Sequence, residues 1–155
     1  MEGSTGFTFA PMIHAMNRST PSPRDPSKML LLLLVLNVVA SVVHYVDNIA
    51  RWAVYPEPAW DNARLTDAFW FVMTPVGVLA YVLYRRGKKL PAFALEYLYG
   101  AMNLVVLGHY LFAWPWEISL VVNATILAEA ATAFWLIGYT ASLHWREVPA
   151  SGELS

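Results

Sequence analysis

The run MLLLLLVLNVVASVV, residues 29–43, contains no charged residue and is interrupted only by Asn37 and Ser41. Continued through His44 to about residue 49, it supplies the roughly 20 predominantly apolar residues that a helix needs to cross a bilayer core. A segment surrounded by hydrocarbon has to pair its own backbone N–H and C=O groups, so a span of this kind is helical. Three more stretches have the same character, at 66–84 (TDAFWFVMTPVGVLAYVLY), 90–113 and 117–144. The sequence therefore predicts an all-α integral membrane protein, a four-transmembrane-helix bundle over residues 28–145. A tail at 1–27 would precede it and a short polar tail at 146–155 would follow. Pro75 and Gly77 predict a kink in the second span, and Pro91 suits the first turn of the third. The first run also has features of a secretory signal, with small residues at Val38 and Ala40. The hydrophilic region ahead of it is long for a signal, so it is read as a retained span.

Composition agrees. Hydrophobic residues make up 57% of the chain and charged ones 14%, against about a quarter charged in soluble domains. A net charge of −1 offers no basic field for nucleic acid. The absence of cysteine removes thiol redox chemistry, thiolate metal sites and disulfides. A four-span plan is shared with four-helix quinone-linked oxidoreductases, but their cysteine motifs cannot occur here, and no family follows from it.

Orientation is predicted from the basic residues, which are retained on the cytoplasmic side of a membrane. Arg18, Arg24 and Lys28 precede the first span; Arg85, Arg86, Lys88 and Lys89 lie between the second and third; Arg146 follows the fourth. Only Arg51 and Arg64 fall on the opposite side. Both termini are expected in the cytoplasm of a multi-pass cell-membrane protein.

With that topology the polar residues sort by depth. His44 and His109 come near the outer ends of the first and third spans, at about 1.5 Å of rise per residue. Asp47 and Asn48 follow His44 by three and four residues and so share its helical face. Asp67 opens the second span and Glu117 and Asn123 the fourth, while Glu57 and Asp61 lie in the stiff connection AVYPEPAWDNAR. Trp52, Trp60, Trp70, Trp114 and Trp116 gather on the same side, as an interfacial belt or as a lid over a ligand. Deeper lie Glu96, Asn103 and Glu129. A carboxylate in hydrocarbon costs at least about 2.5 kcal/mol unless neutralised or paired, so Glu129 should face the interior, with Asn37 and Asn103 as expected partners.

Two chemistries follow. A transition-metal site would use His44, Asp47 and His109, since imidazole plus carboxylate suits zinc, iron, manganese or copper; haem between the two histidines is a related option. An acid/base or binding site for a lipid-soluble molecule would use His44 and Asp47 for proton exchange. Asn48, Trp60, Asp67, Trp70, Asn103 and Glu129 would line it. The expected function is thus a polar outer-leaflet pocket binding a metal or a small hydrophobic ligand, with membrane-embedded redox or acid/base catalysis left open. The alternatives are an accessory subunit of a larger membrane complex or a homo-oligomer, where the polar groups pair across interfaces, and a small transporter or channel.

Overall fold

The computed structural model describes residues 25–59 and 61–148, and within them the chain is all-helical. Four helices, α1 (Pro26–Ala50), α2 (Ala63–Arg85), α3 (Lys89–Leu104) and α4 (Leu120–Glu147), alternate in direction. All four spans, counting α3 with its 3₁₀ continuation to Leu111, are long and apolar enough to cross a membrane. The expected tails 1–24 and 149–155, and Trp60, lie outside the described residues.

Local sequence sets the helix ends. Asp25 caps α1 by accepting from the Ser27 N–H at 2.9 Å, and Pro26 occupies the first turn, where its missing N–H costs nothing. The helix therefore starts before the expected residue 29, taking in two residues assigned to the tail. Asn62 caps α2 through the N–H groups of Arg64 and Leu65. Ser119 caps α4 through Val122, so α4 begins at Leu120 instead of the expected 117 and extends beyond 144 to Glu147. Gly87, at φ 77°, makes the tight turn between α2 and α3, a left-handed conformation that any side chain would strain.

The expected continuous third helix is corrected. The α-helical hydrogen bonding of α3 ends at Leu104, and Val105–Leu111 follows as a 3₁₀ helix. This tighter winding redirects the segment that carries His109.

The helices form a closed ring in the order α1, α2, α3, α4, with α4 packed back on α1. The buried residues of α1 are Ser27, Leu30, Leu34, Asn37, Ser41, His44 and Asn48, alternating by three and four as an interhelical seam requires. That stripe changes character halfway. Leu30 and Leu34 join Met73, Tyr84, Phe93, Tyr99, Leu136 and Leu143 in the apolar core, whereas Asn37, Ser41, His44 and Asn48 present a polar face to the other half of the bundle. Small residues let the helices approach: a Cβ on Gly77 would lie 3.0 Å from Leu34 Cδ1, and one on Gly100 2.5 Å from Ile137 Cγ1. The outer faces are aliphatic and aromatic, including Leu32, Val39, Phe71, Phe134 and Trp135, a surface suited to lipid. Pro75 lies inside α2, where it removes one intrahelical hydrogen bond. The α1–α2 seam is the least closely packed of the four.

Candidate functional site

A cavity of about 540 Å³ occupies the half of the bundle that holds the polar stripe of α1. It runs between α1, α2 and the 3₁₀ segment, reaches Glu129 of α4, and is covered by the connection between α1 and α2. Its wall is mostly apolar. Leu65 and Phe69 of α2 and Val105, Leu111 and Phe112 of the third span line it while also being exposed, so the rim is continuous with the lipid-facing surface.

The polar end is built around two histidines. His44, buried on α1, and His109, carried in by the 3₁₀ segment, meet with their Nε2 atoms 3.4 Å apart. His109 Nδ1 lies 3.4 Å from the Pro56 carbonyl oxygen and 3.5 Å from Glu57 Oε1, both acceptors. With neutral rings this assigns the His109 proton to Nδ1, leaves its Nε2 to accept from His44 Nε2–H, and leaves His44 Nδ1 as a bare acceptor. His44 Nδ1 has no hydrogen-bond partner. Asn48 Nδ2 donates to Glu57 Oε1 at 2.7 Å, fixing the carboxylate over the pair. Glu57, His109 and His44 thus stand in a row from the connecting loop to α1.

Tyr55 closes this arrangement. Its ring packs edge-on against His44 and His109, with centroids 5.5 and 5.3 Å away. Its hydroxyl donates to Asp47 Oδ2 at 2.5 Å and lies 3.2 Å from Thr125 Oγ1 of α4. The loop is thereby tied to α1 and α4 at once. Burial, reinforced by the Asp47 carboxylate, raises the Tyr55 hydroxyl above its ordinary pKa. Burial also raises the Glu57 carboxyl, against the opposing effects of the Asn48 hydrogen bond and of His109.

Several expected site residues are placed differently. Asp47 shares the helix with His44, but its oxygens are taken by Arg51 and Tyr55, because the turn after Ala50 brings both donors over it. Asp67 accepts from the Tyr45 hydroxyl and Glu117 accepts from the Trp114 backbone; neither lines the cavity. Among the described residues no group of three or more His, Asp or Glu side chains is positioned to hold a metal ion, so the expected set of His44, Asp47 and His109 does not assemble. Asn37 bonds Thr132 Oγ1 at 3.0 Å and the Glu129 carbonyl at 3.5 Å, the backbone of Glu129 instead of the expected carboxyl. Asn103 donates to Tyr99 O at 2.8 Å.

His44, Asn48, Trp70, Asn103, His109 and Glu129 do line the cavity together. Trp70 donates Nε1 to Ser41 Oγ at 3.2 Å and stacks on Tyr45. Trp114 and Trp116 stack on each other in the open, 61% and 77% exposed, away from the cavity, so they are not part of a lid. The sequence reading places Glu57 and Tyr55 in the stiff connection without assigning either to the site itself. The signal was present, because Tyr55-Pro56-Glu57-Pro58 confines Glu57 between two prolines in a connection too stiff for a simple linker. No protein-family model, curated protein or solved structure matches the chain.

Proposed function

We propose that this protein binds a small, mostly apolar molecule in the cavity, with the molecule's polar head among His44, Asn48, Glu57 and Glu129 and its apolar body along Trp70, Phe69 and Met73. The observation that carries this reading is an apolar-walled cavity of about 540 Å³ ending on the His44–His109 pair, the combination expected of ligand sites generally. The exposed apolar rim supports entry from the bilayer. The segregation of basic residues toward the Gly87 end supports placing that end in the cytoplasm and the cavity in the outer leaflet. The row Glu57–His109–His44 suits exchange of a proton with the bound head.

Equilibrium dialysis of phenylbutanol against the protein in lipid nanodiscs tests the reading. Binding should be saturable above that of empty nanodiscs and lost in Thr66→Trp, which adds bulk to the cavity wall. Binding unaltered by Thr66→Trp in a folded protein would place the ligand elsewhere and overturn the proposal.

A further inference from the structure

The cavity wall has a one-sided chemistry. Three carboxyl residues line it, Glu57, Asp61 and Glu129, and no lysine or arginine does so among the described residues. Glu129 is 4% exposed and makes no salt bridge there, a costly state for a carboxyl within a membrane span unless it is neutral or a cation joins it. Among the described ion pairs, Arg51 pairs with Asp47, Lys89 pairs with Glu147 at the far end of the bundle, and His109 Nδ1 lies 3.5 Å from Glu57.

Part of the hydrogen-bonding capacity beside the cavity is already engaged. Asn48, Asn103, Trp70 and Tyr45 each donate one hydrogen bond, to Glu57, the Tyr99 carbonyl, Ser41 and Asp67. The side-chain oxygens of Asn48 and Asn103, and Nδ1 of His44, have no partner. The cavity wall thus carries carboxyl groups with no lysine or arginine beside them among the described residues, which favours a ligand that brings positive charge. Tyr45, Phe69, Trp70 and Phe112 add ring surfaces to the wall, and aromatic faces attract a desolvated cation.

From this juxtaposition of an acidic lining, a buried Glu129 without a salt bridge and an aromatic wall, we infer that the cavity selects lipophilic amines in their protonated, ammonium form. The inference rests on the ligand-binding reading above and specifies its chemical class. An ammonium placed near Glu129 would gain charge-assisted hydrogen bonds and supply the counter-charge that the protein lacks, with its apolar body in the remaining space. A carboxylate of the same shape would meet three carboxyl groups and no compensating cation.

Three probes of nearly equal size, phenylbutylamine, phenylbutanol and phenylbutyrate, separate the outcomes when dialysed against the protein in neutral-lipid nanodiscs, with empty nanodiscs subtracted. The amine is expected to bind at least about tenfold more tightly than the alcohol, one charge-assisted interaction being of that order, and phenylbutyrate to bind least. Glu129→Gln should reduce the ratio of amine to alcohol affinity by about the same factor. Alcohol binding equal to or tighter than amine binding would overturn the inference and leave the ligand-binding reading intact. Failure of all three probes to bind would refute that reading and this inference together. The ligand series on the native protein decides the matter even where Glu129→Gln fails to fold.

Discussion

Removing a single hydroxyl, in Tyr55→Phe, should loosen the cover of the cavity without changing its shape. The Phe ring would keep the edge contacts to His44 and His109; what is lost is the 2.5 Å hydrogen bond to Asp47 and the contact with Thr125. A hydrogen bond to a charged group contributes about 1.5–3 kcal/mol. The Asp47 side chain is 19% exposed and its other oxygen is held by Arg51, so water can reach the vacated oxygen. The loss should fall at the low end, about 1.5 kcal/mol, or roughly tenfold in the docking equilibrium of the loop. Hydrogen exchange of the 52–59 amides measures local opening, and unfolding in mixed micelles measures the global effect. In an Asp47→Ala background the same substitution should cost much less, since the partner is already gone. An undiminished loss in that background, or no change in loop exchange for Tyr55→Phe alone, would refute the assignment of this hydrogen bond as the latch.

Two further outcomes are expected. Gly100→Val should destabilise the bundle by about 1–3 kcal/mol through overpacking, because its Cβ falls 2.5 Å from Ile137 Cγ1; Ile137→Ala should recover part of the loss, as thermal unfolding in detergent would show. Glu57 has a folded-state pKa raised by burial, so its contribution to stability is fully present below the ordinary value of 4.5 and is lost as pH rises through the elevated value. Unfolding followed against pH should show that downward slope in the native protein and a flatter one in Glu57→Gln.

Hydropathy made the helices legible, since a run such as residues 29–43 leaves few alternatives, and the matched depths of His44 and His109 followed from counting residues along two spans. The end of α3 was not legible. VVLGHYL is as apolar as the residues before it, and hydropathy does not register whether a carbonyl accepts from the fourth or the third residue ahead. The start of α4 could have been read from Ser119, a capping residue directly before an apolar run. Asp47 shows the limit of helical spacing: three residues from His44 set its face, but the partners that claimed it, Arg51 and Tyr55, come from the turn beyond the helix. The two prolines mark the connection around Glu57 as stiff, but that it folds back over the bundle to bring Glu57 to His109 is a long-range contact that local pattern does not specify.

Nitrogen-15 NMR of the histidine side chains in nanodiscs tests the central claim most directly, with His44→Gln and His109→Gln used for assignment. Saturating phenylbutylamine should move the imidazole resonances of both His44 and His109 and leave His144, which stacks on Phe93 at the opposite end, unmoved. Resonances of the pair that stay fixed while the amine binds would contradict a ligand site at the histidine pair.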